Sequence, residues 1–278
     1  MTILVFTAIV FVGALVAGLL GSLTGLGGGV VIIPLLTLVF KVDIHYAIGA
    51  SLVSVIATSS GAAAAYVKEG ITNIRLGMFL ELATTAGAIV GAWLATRLPT
   101  SLIAILFGVV LIISAILSFV RLADPVLTGE PGSLSQRLRL NSSFPTPEGE
   151  RPYFVKNVIG GFLMMNVAGT ISGLLGIGSG ALKVIAMDNI MRIPFKVSTT
   201  TSNFMIGVTA AASVGVYLKR GYIDPGLSMP VMLGVLGGAF VGTRVLTKAK
   251  TPSLQILFAL VILILAVEMI YNGITHKI

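Results

Sequence analysis

Residues 21–40 read GSLTGLGGGVVIIPLLTLVF, and residues 172–191 read SGLLGIGSGALKVIAMDNIM. Each stretch carries a glycine cluster inside an apolar run and then a short second apolar segment. Glycine permits irregular backbone and close approach. Where the surroundings are apolar, backbone not paired inside a helix is tolerated only when it is buried in protein or lines a cavity.

The surroundings are apolar throughout. Of 278 residues, 56% are hydrophobic and 10% are charged, against about 25% charged in a soluble domain. Met1 to Phe40 holds no Asp, Glu, Lys or Arg, and a membrane span needs roughly 20 mostly apolar residues. No basic residue precedes Ile3 and further apolar segments follow, so the first stretch reads as a retained helix and not a signal peptide. There are ten apolar segments, near 3–20, 30–40, 46–66, 76–96, 101–120, 154–174, 181–191, 197–217, 227–247 and 254–273. The stretch 121–151, rich in Pro, Ser, Glu and Arg, reads as an aqueous loop. The runs are continuous and not alternating, which excludes a β-barrel. The expected fold is an all-α polytopic membrane protein with a first membrane unit over 1–120, a polar central loop over 121–152 and a second unit over 153–278.

A shift of 151 aligns the two halves without a gap for about 85 residues. Gly25, Gly27 and Gly29 fall on Gly176, Gly178 and Gly180. Ser51 falls on Ser202, Thr58 on Thr209, and Tyr66, Lys68 and Gly70 on Tyr217, Lys219 and Gly221. Gly87 and Gly91 fall on Gly238 and Gly242. A common register across four segments indicates an internal duplication, the usual build of secondary transporters. An odd number of crossings per half makes the copies inverted, an even number parallel. Segments 30–40 and 181–191 span only about 16 Å as helix, so each half has five crossings, or three with a re-entrant hairpin, or four with one broken span. Odd crossings put eleven Lys and Arg on one side and five on the other; even crossings give ten and six. The positive-inside rule therefore favours inverted repeats, with the central loop in the cytoplasm.

The two glycine loops are the candidate site: Thr24, Gly25, Gly27, Gly28 and Gly29 in the first half, and Gly176, Gly178, Ser179 and Gly180 in the second. A helix leaving such a loop offers free N–H groups to an anion. Lys183 follows Gly180 by three residues, and its first-half counterpart is Ile32. A cation inside an apolar segment faces a cavity or snorkels outward. The third segments are rich in hydroxyls and amides, and Ser51, Thr200, Ser202 and Asn203 are the expected side-chain ligands. Glu81 is a candidate for a coupling proton, although an interfacial pairing with Arg75 or Arg97 is the stronger expectation. Arg244 and Glu268 read as structural. Gly87 and Gly91, with Gly234, Gly238 and Gly242, recur every four residues and read as close helix contacts.

Enzyme chemistry lacks its residues. His45 and His276 lie in different halves, Ser179 has no neighbouring base, and there is no cysteine. No strand precedes the glycine clusters and no acidic residue follows at nucleotide-binding spacing. The net charge of +8 sits between apolar segments, which points to membrane orientation and not to nucleic acid.

Several motifs together resemble the sulfite exporter TauE/SafE family of bacterial membrane proteins. They are GSLTGLGGGVVIIPLL, AIGASLVSV, GLLGIGSGALKVIAM, STTTSNFMIGVTAAAS, YVKEGITNIRLG and YLKRGYIDPGL, covering nearly the whole chain except 121–152. The resemblance implies export of sulfite or an organosulfonate such as sulfoacetate across the bacterial inner membrane. It implies a permease driven by protons or membrane potential, without cofactor or ATP hydrolysis. The expected partners are the small anion and the lipid bilayer, and a homodimer is an expectation that no residue localises. A passive anion channel, or a carrier of another small solute, is the alternative.

Overall fold

The computed structural model describes residues 3–24, 29–68, 70–119, 133–146, 149–246 and 251–276. In chain order, α1 is Ile3–Thr24, α2 is Gly29–Pro34 continued by a π-helical turn Leu35–Val39, and α3 is Ile44–Lys68. Then come α4 Ile74–Ala95, α5 Thr100–Phe119, the short α6 Ser133–Arg137, and strands β1 Ser142–Thr146 and β2 Gly149–Tyr153. The chain continues with α7 Val158–Leu175, α8 Gly180–Ile185 with a π-helical turn Ala186–Ile190, α9 Phe195–Lys219, α10 Pro225–Leu246 and α11 Thr251–Ile274. Four of these helices, within Ile44–Gly61, Ile74–Ala95, Val158–Leu175 and Phe195–Lys219, are long and apolar enough to cross a membrane. Their outward faces stay apolar: Leu82 is 68% exposed and Leu163 64%, an arrangement suited to lipid and not to water.

The helices pair across the sequence. α1 lies along α10, α4 along α7 and α5 along α11, while α3 crosses α9 at the centre. The central pair is antiparallel. His45, at the start of α3, stacks on Tyr222, just past the end of α9, with ring centroids 4.8 Å apart. Further along α3, a Cβ on Gly207 of α9 would meet Ser59. α1 and α2 also run antiparallel, with Phe6 edge-on to Phe40 at 5.8 Å, so the chain returns to the end from which α1 set out. At that end hydrogen bonds from His45 hold the Asp43 carboxyl below the usual carboxylate range.

Small residues set how closely these pairs approach. A Cβ on Gly87 or Gly91 would overlap the carbonyl oxygens of Asn166 and Thr170 on α7. The fit is reciprocal, since a Cβ on Gly169 or Gly173 would overlap the carbonyls of Thr84 and Ala88 on α4. Gly234 and Gly238 of α10 pass α1 the same way, at Phe11 and Leu15. The glycine spacing thus marks real contacts, as its pattern suggests; the surroundings of Gly242 lie outside the described residues.

Part of the expected aqueous loop is folded onto the helices. Residues 133–153 form α6 and an antiparallel hairpin whose register pairs Ser142 with Tyr153 and Thr146 with Gly149. Leu140, Phe144, Tyr153 and Val155 bury themselves with Leu76, Leu80, Met187 and Val197. Asn73 joins the two parts. Its Oδ1 accepts from the Leu76 amide at 3.0 Å and so caps α4. Its Nδ2 donates to the Leu140 carbonyl at 2.9 Å and to the Tyr153 hydroxyl at 2.8 Å, and its own amide donates to Thr201 of α9 at 3.1 Å. Burial pushes the Tyr153 phenol up to about 12, so it stays a neutral hydroxyl under ordinary conditions. The polar composition hides this because a few apolar anchors and one asparagine suffice to dock the segment. Residues 120–132 lie outside the described residues.

Two glycines separate packing from propensity. Gly91→Ala forces its methyl against α7 backbone and is expected to cost about 1–3 kcal/mol, read as a lower melting temperature in detergent. Gly237→Ala, where a Cβ would meet nothing within 4 Å, is expected to be neutral or to stabilise by up to about 1 kcal/mol.

Candidate functional site

The second glycine loop is held open by left-handed backbone. Gly176 (φ 68°) ends α7, and Gly178 (φ 74°) and Ser179 (φ 44°) follow in the same region. Glycine adopts this region freely; Ser179 does so at a cost of roughly 1–2 kcal/mol, offset by its Oγ donating to the Ala168 carbonyl at 2.6 Å. Residues 172–180 are all buried. Among the described residues, nothing accepts from the amides of Ile177, Gly178 and Ser179.

Hydroxyls from the central helices pin this loop. Ser51 on α3 donates to the Gly176 carbonyl at 2.8 Å, and Ser202 on α9 donates to the Gly180 carbonyl at 3.2 Å. Tyr217 donates to the carbonyls of Gly173 and Leu174 at 3.1 and 3.3 Å, just before the loop. Gly29, which opens α2, lies against the same point: a Cβ there would stand 2.5 Å from Ser51 Oγ and 3.3 Å from the Gly176 oxygen. Gly29, Ser51, Gly176, Gly180 and Ser202 are thus brought together at the α3–α9 crossing.

The remaining expected residues are distributed differently. Thr200 turns its hydroxyl back to the Lys196 and Val197 carbonyls, both at 3.1 Å, the helix back-bonding common to threonine. Asn203 is half-buried on α9. Gly25, Gly27 and Gly28 lie outside the described residues, as does the side chain at position 24. Arg244 is placed only by its backbone. Glu268 is exposed, and its carbonyl accepts from Asn272 at 2.8 Å.

Lys183 is fully buried, at 0% exposure. Its Nζ donates to Thr209 Oγ1 at 2.6 Å, and Thr209 lies 2.7 Å from Glu81 Oε1 and 2.9 Å from the Met205 carbonyl. Thr85 also donates to Glu81 Oε1, at 3.2 Å. Glu81 is 7% exposed, and its Oε2 has no hydrogen-bond partner among the described residues. This corrects the expected pairing of Glu81 with Arg75 or Arg97. Arg75 donates to the Arg139 carbonyl at 3.2 Å, and Arg97 sits over the Trp93 ring at 4.3 Å. Both arginines belong to the helix ends, whereas Glu81 turns inward to α9. Thr209 was visible in the sequence only as a match to Thr58; Thr85 and Tyr217 gave no functional signal. Among the described residues no three His, Asp or Glu side chains group to hold a metal.

Long apolar helices, a chain break held in the interior and a buried lysine–carboxylate chain are the build of a multi-pass membrane transporter. The chain matches the family described as Sulfite exporter TauE/SafE over residues 10–269 and belongs to it. It is 28% identical over 277 residues to "Probable membrane transporter protein YunE" of Bacillus subtilis (strain 168), covering 97% of this chain and 98% of that protein. It is 29% identical over 228 residues to "Probable membrane transporter protein YdhB" of the same strain, covering 82% of this chain and 85% of the relative. It is 24% identical over 274 residues to "Probable membrane transporter protein ORF9" of Sinorhizobium sp, covering 98% and 94%. No solved structure matches the chain. Family and relatives carry the names of membrane transporters and not of enzymes.

Removing one pin tests the loop. Ser51→Ala leaves the buried Gly176 carbonyl unpaired, a cost of about 1–3 kcal/mol. The expected result is a protein that still folds, with a lowered melting temperature and faster hydrogen exchange confined to residues 173–180.

Proposed function

We propose that the protein is a secondary transporter exporting a small sulfur-containing oxyanion, sulfite or an organosulfonate such as sulfoacetate, by alternating access across the bacterial inner membrane. The observation that carries this reading is the buried loop at Gly176–Gly180. Its amides at Ile177, Gly178 and Ser179 have no acceptor among the described residues, and it lies in a chain of the Sulfite exporter family. Buried N–H groups demand an acceptor, and an oxyanion supplies several. The anion meets the two glycine loops, with Lys183 as the nearby cation. Ser51 and Ser202 act by holding loop carbonyls away from it. The partners are that anion and the bilayer. Nucleic acid, cofactor and metal have no part in the reading.

Alternating access needs two related halves, and the fold supports inverted repeats. Helices begin at Gly29 and Gly180, Ile44 and Phe195, Ile74 and Pro225, and Thr100 and Thr251, each pair 151 residues apart. The π-helical turns at Leu35 and Ala186 keep the same offset. So do left-handed Lys41 and Arg192, and Gly70 and Gly221. The antiparallel run of α3 and α9 supports inverted copies, each with a re-entrant hairpin and three crossings. With that count Arg75, Arg137, Arg139, Arg151, Lys156, Arg192 and Lys196 share one end, which the positive-inside rule makes the cytoplasmic one in this reading.

Counterflow in proteoliposomes loaded with sulfite, then sulfoacetate, tests the reading, with and without a pH gradient. Saturable exchange is the expected result. Flux that never saturates would make the protein a channel, and no flux of either anion in folded protein would remove sulfur oxyanions as substrates. Lys183→Ala is expected to raise the half-saturating anion concentration about tenfold or more, the loss of roughly 1.4 kcal/mol of binding.

A further inference from the structure

We infer that Lys183, Thr209 and Glu81 form a proton-coupling site, present at only one of the two positions that the 151-residue register relates, at which binding of one anion takes up one proton. The inference deepens the transport reading and rests on it.

The geometry supplies a switchable chain. Lys183 Nζ and Glu81 do not touch: among the described residues, the one ion pair within 4 Å is His45 with Asp43. They are joined through a single hydroxyl, Thr209 Oγ1. That hydroxyl has one proton and two acceptors in reach, Glu81 Oε1 at 2.7 Å and the Met205 carbonyl at 2.9 Å. Turning to Met205 releases the carboxylate without leaving the hydroxyl unbonded. Glu81 Oε2, buried and without a partner among the described residues, is an open position for a proton. The chain also adjoins the loop. Ile206, which a Cβ on Gly178 or Gly180 would strike at 2.8 Å, is one helical turn from Thr209, and Lys183 is three residues beyond Gly180. An anion at the loop amides is therefore within reach of the flexible lysine stem.

Charge balance makes the link obligatory. With no anion bound, the ammonium and the carboxylate cancel. An anion that draws Lys183 to itself leaves a buried carboxylate uncompensated, which an apolar interior does not tolerate. A proton on Glu81 restores the balance. Among the described residues, Lys183 is the cation that acts on Glu81. α7 carries no charged residue; α9 carries exposed Lys196 and Lys219 at its ends and buried Tyr217 near its last turn. Asp188 is buried on the π-helical turn after α8, and Arg75 is exposed at the start of α4. The stoichiometry follows from there being one such site. The positions 151 residues away from Lys183, Thr209 and Glu81 hold Ile32, Thr58 and Met232. The hydroxyl is there and both charges are missing, so the carrier moves one proton per anion, in the same direction. Export is then powered by the anion's own outward gradient, and a monoanion crosses as a neutral complex that ignores membrane voltage.

The test uses the full-length protein in detergent with ethanesulfonate, a monoanion whose sulfonate does not titrate near neutral pH. Binding is followed by isothermal calorimetry and proton uptake by a pH-indicator dye. Wild type is expected to take up one proton per anion bound, with Kd weakening about tenfold per pH unit on the alkaline side. Glu81→Gln, which fixes the neutral form, is expected to bind as wild type does at low pH, with no proton uptake and no pH dependence. Should Glu81→Gln not fold, Lys183→Gln leaves Glu81 without its compensating cation before any anion binds, and uptake on binding is expected to fall to near zero. Binding by wild type without proton uptake, or full uptake by Glu81→Gln or Lys183→Gln, overturns the inference and leaves anion transport standing. Absence of binding by wild type to both ethanesulfonate and sulfite overturns the anion reading itself.

Discussion

Hydrocarbon offers a backbone amide or carbonyl nothing to bond to, so a helix broken inside a membrane must have its loose ends covered by protein. The break between α7 and α8 shows how this demand organises the molecule. Ser51, Ser202 and Tyr217 come from the two central helices and all donate to carbonyls at or beside the loop. Those donors reach it because α3 and α9 cross there, and the crossing is enclosed by α1–α10 on one side and α4–α7 on the other. The enclosing pairs close tightly through glycines whose missing side chains let backbone meet backbone.

The overall architecture was legible because its signals are long-range and redundant. Ten apolar runs and glycines at four-residue spacing both report closely packed membrane helices. The helix contacts at Gly87, Gly91, Gly234 and Gly238 could be named from spacing alone. Side-chain destinations were less legible. Ser51 and Ser202 were recognised as belonging to the glycine loops, yet a sequence does not say whether a hydroxyl faces a ligand or a carbonyl. Glu81 misled for a different reason. The basic residues that flank it in the chain are Arg75 and Arg97, while its real neighbours are 102 and 128 positions away, at Lys183 and Thr209. The hairpin at 142–153 was hidden by composition, since a polar surface conceals the few residues that anchor it.

The buried charge is gathered at one place and not at its counterpart. The positions 151 residues away from Lys183, Thr209 and Glu81 hold Ile32, Thr58 and Met232, and Thr37, which stands opposite Asp188 at the same offset, satisfies itself on the Ile33 carbonyl at 2.8 Å. Around α9 the interior holds Lys183, Asp188 and Glu81. α4 supplies the carboxylate and α8 the ammonium once, which spares the protein the desolvation of a second such set.

The pairing of α1 with α10, α4 with α7 and α5 with α11 has a consequence for biosynthesis. No long helix among the first five finds its principal partner until the second half of the chain has left the ribosome. α1 must wait in the bilayer, the face that receives Gly234 and Gly238 toward lipid, until residues beyond 225 are inserted. The nascent chain therefore passes through an intermediate with most helices inserted and few packed. Neither half is a folding unit, and the two, made as separate fragments, have every reason to assemble with each other and none to fold alone.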